Sequence, residues 1–207
     1  MKLIIVRHAE SEHNVGALMV AHGPSRLTAK GKAQVERVAE RLRSEHIDVA
    51  FSSDSERALH TAQGILQFHP SVPLTVTEEL SERHMGDLEG KSRAEFVATA
   101  KQSGVKWFEY KPAGGESMLD TQARAQKFIE RIRDEHRGQT VLISSHGGFI
   151  RALLAYLLKQ NYETDAPMRV LNAAITIVQM RDDDSHTAHV INDATHLNEA
   201  TKPIIRK

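Results

Sequence analysis

Leu3-Ile4-Ile5-Val6-Arg7-His8 opens the chain with an apolar run rich in β-branched residues that ends abruptly in a cation and an imidazole. So short and unbroken a run predicts a strand buried on both faces of a parallel sheet. Downstream, Gly31, Val35, Val38 and Leu42 repeat at helical spacing within residues 28–45 behind Thr28 as N-cap, and a second strand follows at 49–52. Residues 55–68 carry Leu59, Ala62 and Leu66 in one helical stripe, stopped by His69-Pro70 before a strand at 74–76. This β-α-β-α-β order predicts an α/β fold, a three-layer α/β/α sandwich with a mostly parallel central sheet, in a single domain spanning 1–207.

The second half fits the same plan. Residues 78–91 hold charges, two glycines and no helical period, so they read as a long ordered loop. A polar helix is expected at 92–103, a break at Pro112-Ala113-Gly114-Gly115, and an amphipathic helix from 117 to about 136. Residues 140–144 form another buried-strand pattern, and 149–158 are apolar nearly all round, as in a helix packed on several sides. Strands at 174–180 and 187–191, joined by a turn at Asp182-Asp183-Asp184, complete the expected set.

Composition narrows the class of function. The 207 residues are 40% hydrophobic and 26% charged, and Lys plus Arg equals Asp plus Glu at 27 each, so the overall balance favours neither nucleic acid nor an anionic membrane as a partner. The absence of cysteine excludes disulfides, thiolate metal sites and cysteine nucleophiles. The first apolar run is too short for a signal-peptide core, and no other stretch is apolar enough to span a bilayer; a cytoplasmic location is expected.

Two strands share one design, each ending in a polar residue and then a histidine: Val6-Arg7-His8 and Ser144-Ser145-His146-Gly147-Gly148. Ligand sites in open parallel sheets form outside the carboxyl ends of strands, so both histidines stand where one ligand can meet them. The strand ending in Ser52-Ser53 adds Arg57 in the first turn of the next helix. A phosphoryl group suits this set, because its in-line transfer needs a nucleophile, cations on the equatorial oxygens and a proton for the leaving group. Neutral His8 serves as nucleophile, Arg7 and Arg57 as planar cations, His146 as a donor, and Gly147 permits close backbone approach.

These residues resemble the histidine phosphatase superfamily, which includes the cofactor-dependent phosphoglycerate mutases. Arg7-His8-Ala9-Glu10-Ser11 with Asn14 is similar to its Arg-His-Gly-Glu signature, and Leu27-Thr28-Ala29-Lys30-Gly31 to its next marker. Ser52 to Ala58, Leu80 to Gly86 with Glu89-Gly90, Gly114-Gly115-Glu116-Ser117, Ser145 to Gly148, Asn192-Asp193 and His196-Leu197 follow in the family's order. The resemblance implies a phosphohistidine at His8, phosphoryl oxygens held by Arg7, Arg57, His146 and Asn14, and Glu82 as proton donor. It also implies that Arg83 binds substrate, as the arginine the glycolytic mutases set on a carboxylate. A loop lying over a partly dry, phosphate-charged pocket is expected to keep the Glu82 carboxyl protonated near neutrality. Departures from the pattern are Ala9 for glycine, expected to narrow the pocket floor, Val20-Ala21 ahead of the Leu-Thr marker, and Met85 for the mutases' tyrosine.

The expected activity is metal-independent hydrolysis of a small phosphorylated metabolite. A phosphoglycerate mutase is the alternative, with 2,3-bisphosphoglycerate as primer in that case alone and no cofactor otherwise; the short region 92–112 leaves water hard to exclude and favours hydrolysis. A phosphate-ligand binding protein without turnover is the reading from another class. The substrate is the one expected partner, with a monomer or homodimer equally open. Of the twelve histidines, all but His8 and His146 read as solvated or packing residues, including His186 and His189, which lack carboxylate or cysteine partners at metal-ligand spacing. Glu116 and Ser117 read as a helix N-terminus. Arg83, Met85, Trp107, Phe108 and Tyr110 are expected at the outer rim.

Overall fold

In a computed structural model of the chain, the opening run becomes the strand β1 (Lys2–Arg7), which sits inside the sheet between a parallel neighbour, β4 (Thr140–Ser145), and an antiparallel one, β5 (Ile175–Met180). The structure describes residues 1–16, 18–21, 23–165, 168–183 and 185–197. His22 and Asp184, the last residue of the expected turn, lie outside them. With β2 (Val49–Ser52), β3 (Leu74–Val76) and β6 (His186–Asp193), the strand order is β3-β2-β4-β1-β5-β6. Only β5 runs against the others, so the sheet is mostly parallel, as the sequence predicts.

Alternate residues of β1 feed two cores, as the two-residue strand period requires. Leu3 and Ile5 pack with Phe51, Ile143, Phe128 and Phe149 under helices α5 (Met118–Glu135) and α6 (Gly147–Leu157). Ile4 and Val6 pack with Val38, Leu42 and Ile65 under α2 (Ala29–Leu42) and α3 (Glu56–Leu66) on the other face. The three-layer α/β/α sandwich follows from this division.

Thr28 caps α2 by accepting from Gly31 N at 3.0 Å. Gly31 is obligatory there, because a Cβ would stand 1.9 Å from the carbonyl oxygen of Glu10. A one-turn helix α1 (Glu12–Val15), too short to leave a periodic pattern, went unread in the sequence. Residues 78–91 form a loop with two single 3-10 turns, Glu78–Leu80 and Gly86–Leu88. The expected polar helix is α4 (Arg93–Gln102), capped reciprocally by Ser92 and Glu95, and it buries only Phe96 and Ala100. α6 starts two residues before its apolar run, with His146 as N-cap, because both glycines join its first turn.

Candidate active site

Parallel pairing brings the carboxyl ends of β1, β4 and β2 level, with Arg7 opposite Ser145 and Ser52 opposite Ser144. One residue further on, His8 N donates to Ser145 O at 2.8 Å and Ser53 N to Ser144 O at 3.0 Å. The rings of His8 and His146 therefore meet, their centroids 5.0 Å apart. His8 Nδ1 lies 2.8 Å from Ala9 O. A carbonyl oxygen only accepts, so Nδ1 carries the proton and the lone pair of neutral His8 sits on Nε2. Burial, reinforced by His146, Arg7 and Arg57, pushes the imidazole well below its ordinary 6.5. His8 is thus an uncharged imidazole near neutrality with its nucleophilic nitrogen fixed by geometry.

Around it stand guanidinium groups whose donors are only partly used. Arg7 gives Nη1 to Val170 O at 2.7 Å, and Arg57 gives Nη2 to Val20 O and Ala21 O at 3.1 and 3.3 Å. Arg7 Nε and Arg57 Nη1 are buried and have no hydrogen-bond partner among the described residues. Buried cationic donors in that state match an anion in the cleft. Burial is also the main cause that pulls Arg7 down to about 10, with Glu82 opposing it and Arg151, Arg57 and Arg169 adding to it. Glu10, three residues along the chain from Arg7, accepts from Thr28 Oγ1 at 2.9 Å. Asn14 Oδ1 accepts from Ser11 N and from Asn172 Nδ2, both at 3.0 Å, which leaves its amide nitrogen to face the cleft it lines.

Glu82 lies across the start of α6, where its carboxylate accepts from Arg83 N at 2.9 Å, Phe149 N at 3.0 Å and Gly148 N at 3.1 Å. A Cβ on Gly148 would stand 2.4 Å from Glu82 Oε1, and one on Gly147 would stand 3.3 Å from Arg7 Nε. The two glycines thus bring the acid and the cation close to the helix start. The loop itself is gripped by Arg124, which holds Glu116 through two bonds of 2.9 and 2.8 Å and donates to the carbonyls of Glu79, Ser81 and Glu82. Glu116 also accepts from His84 N at 3.1 Å. Burial raises the Glu116 carboxyl, but Arg124 and the His84 amide outweigh it and hold it below its usual range.

Arg7, His8, Asn14, Arg57, Glu82, Arg83 and Gly147 all line one cleft of about 720 Å³. His146 touches that group through the His8 ring and is anchored at Nε2 by Ser53 Oγ, 2.9 Å away. Arg83 spends Nε on Glu116 O at 2.8 Å and Nη2 on Tyr110 O at 3.0 Å while lying over the Phe96 ring. Three expectations need correction. Ala9 does not narrow the pocket floor; it is fully buried in the core on the α2 and α3 face. Met85 and Trp107 line the cleft, but Phe108 is buried against Met118 and Ala152, and Tyr110 packs edge-on to Phe96. Ser53, Asn172, Arg124, Arg151 and Arg169 went unread, although a lone arginine inside the otherwise apolar run 149–158 was a usable signal for Arg151. Among the described residues no three His, Asp or Glu side chains gather as a metal ion needs. No helix there is long and apolar enough to cross a membrane.

A strand-end cleft where two histidine rings meet and buried guanidinium donors lack partners among the described residues gives this α/β protein a site suited to an anion. The sequence profile of the histidine phosphatase superfamily (branch 1) matches residues 3–193, and the chain belongs to that superfamily. Its members are phosphoryl-transfer enzymes, phosphatases and mutases alike. A 2,3-bisphosphoglycerate-dependent phosphoglycerate mutase of Cytophaga hutchinsonii is 36% identical over 179 residues, 83% of this chain and 84% of its own. An adenosylcobalamin/alpha-ribazole phosphatase of Salmonella typhimurium is 34% identical over 162 residues, 76% of this chain and 80% of its own. The solved structure of Bacillus stearothermophilus YhfR has a TM-score of 0.85 at 29% identity, covering 95% of this chain and 98% of that one.

Proposed function

We propose that the chain hydrolyses a small phosphomonoester, without a metal, through a phosphohistidine at His8. The supporting observation is the His8 ring itself, neutral, with Nδ1 spent on Ala9 O and Nε2 left with its lone pair beside buried, unpaired guanidinium donors. Nε2 attacks phosphorus, the bond to the ester oxygen breaks, and Glu82 passes a proton to that oxygen. Arg7, Arg57, His146 and the Asn14 amide hold the three equatorial oxygens, where charge accumulates. For this step Glu82 enters protonated and exchanges the amide contact at its protonated oxygen for the leaving oxygen, and the proton later taken from water restores that form. Its carboxylate then takes a proton from water, the water oxygen bonds to phosphorus, the bond to Nε2 breaks, and neutral His8 and inorganic phosphate remain.

Rapid mixing with a phosphorus-labelled aryl phosphate followed by denaturation tests this reading. The expected result is a stoichiometric, acid-labile and base-stable label on the protein, missing in His8→Ala together with turnover. A His8→Ala variant that still turns over would overturn the proposal. Isomerisation of 3-phosphoglycerate outpacing phosphate release, dependent on added 2,3-bisphosphoglycerate, would replace hydrolysis by the mutase reading.

A further inference from the structure

The cleft holds more positive charge than one phosphoryl group neutralises. Among the described residues six arginines line it, Arg7, Arg57, Arg83, Arg93, Arg151 and Arg169, together with Lys101, against a single carboxylate, Glu82. None of the six is in an ion pair within the described residues. Arg7 and Arg57 flank His8, and Arg83 is largely occupied by two carbonyls. Arg151 and Arg169 are different. Arg151 projects from the second turn of α6 and is aimed by one bond, Nε to Met168 O at 2.9 Å, which leaves its two terminal nitrogens uncommitted. Arg169 belongs to the loop that Arg151 grips, and its exposed side chain lines the cleft with no partner among the described residues.

That loop is tied to Arg7, His8 and Asn14, one bond to each. Val170 O takes Arg7 Nη1, and Asn172 Nδ2 reaches both His8 O and Asn14 Oδ1, at 3.0 Å each. Its position relative to the phosphoryl site is therefore fixed. The charges also feel one another, since Arg151 and Arg169 both act to lower Arg7, and Arg93 acts to lower Arg151. Holding like charges together without counterions is unfavourable and has to be offset by an anion. Phe96, Val97, Val105 and Trp107 line the same cleft and offer uncharged surface to whatever joins the two anionic ends.

Resting on the phosphatase reading above, we infer that Arg151 and Arg169 form a second anion subsite, so that the substrate is a phosphomonoester carrying another acidic group, a carboxylate or a second phosphate. The phosphoryl end lies on His8, Arg7 and Arg57, and the other acid lies over α6 and the loop before β5.

Matched substrate pairs test this. 3-Phosphoglycerate and glycerol 3-phosphate differ only in a carboxylate against a hydroxymethyl group, and the bisphosphate and monophosphate of propane-1,3-diol isolate a second phosphate. Wild-type kcat/KM is expected to favour the acidic member of one pair by roughly tenfold or more, the effect of a charge-assisted hydrogen bond. The pair that shows the preference identifies the acid. In Arg169→Gln, whose exposed side chain contributes nothing to the core, and in the Arg151→Gln/Arg169→Gln double variant, that ratio is expected to collapse, and Arg169→Lys restores part of it. Equal rates within both pairs, or a preference that survives the double variant, would overturn the inference. p-Nitrophenyl phosphate is assayed alongside. Absence of its hydrolysis and of a His8 phosphoenzyme is failure of the phosphatase reading instead.

Discussion

Gly148→Ala separates what holds the fold from what does the chemistry. Gly148 lies in the right-handed first turn of α6, so alanine meets no backbone strain there. Its Cβ would meet Glu82 Oε1 at 2.4 Å, Glu82 Cδ at 3.2 Å and Arg83 Cβ at 3.3 Å. Bringing the oxygen out to an ordinary contact displaces the carboxyl by about 1 Å and breaks its bonds to Gly148 N and Phe149 N. The atom that yields is the free end of a glutamate, so the fold tolerates the change. Two lost amide bonds at about 1 kcal/mol each are offset in part by the 0.5–1 kcal/mol that alanine contributes over glycine in a helix. Unfolding free energy is expected to change by only about 1 kcal/mol. Turnover is another matter, because a reacting group misplaced by about 1 Å loses on the order of a hundredfold in rate. The assay is kcat on an alkyl phosphate, whose alkoxide needs a proton to leave, beside an aryl phosphate, whose phenolate does not. The alkyl substrate should suffer more. A folded Gly148→Ala protein with kcat on the alkyl substrate within about threefold of wild type would refute both the placement of Glu82 and its role.

Two further outcomes concern the rest of the molecule. Arg124→Met leaves Glu116 without its counterion and three loop carbonyls without a donor; with the paired side chains 19% and 17% exposed, urea unfolding should show a loss of about 2–4 kcal/mol, slightly under that for a fully buried pair, and kcat should fall as the Glu82 loop loosens. Burial holds His8 and His196 below their ordinary 6.5 in the folded chain, so as pH falls through that value the unfolded chain takes up protons first. Stability is therefore full above 6.5 and declines below it toward the folded-state values. Urea midpoints compared at about pH 7.5 and about pH 5.5 should drop at the lower pH, and less so in His8→Gln; a flat profile would contradict the buried neutral histidine.

The strand ends were legible because β1 and β4 write their burial directly into the chain, as unbroken apolar runs that stop at Arg7-His8 and Ser145-His146. Periodicity likewise marked α2, α3 and α5, whose buried faces repeat every third or fourth residue. Loop chemistry leaves no such trace. Arg124 sits on an amphipathic helix where any arginine reads as a solvated charge, and only tertiary packing turns it toward Glu116 and the carbonyls of Glu79 and Ser81. Ser53 looked like a strand terminus until the fold set it 2.9 Å from His146. The Ala9 methyl, standing where the family has glycine, is expected from sequence at the pocket floor, but it is buried against α2 and α3.

The partner of His8 Nδ1 decides what kind of histidine this is. A carboxylate at that nitrogen would stabilise the imidazolium and raise its pKa, the arrangement of a histidine that works as a base. Ala9 O fixes the same tautomer without a counter-charge, while burial and the cations of Arg7 and Arg57 press against protonation. The ring is left electron-rich at Nε2 and uncharged. The field that disfavours a proton on Nε2 favours a phosphoryl group there, since the phosphoryl group brings negative oxygens to the same guanidinium donors. Arg7 and Arg57 therefore have one effect with two consequences. They add to the burial and the His146 ring that keep His8 neutral, and in the proposed reaction they also hold the phosphoryl oxygens, so exchanging either for an uncharged residue is expected to weaken the nucleophile's tuning slightly and the anion's anchorage more.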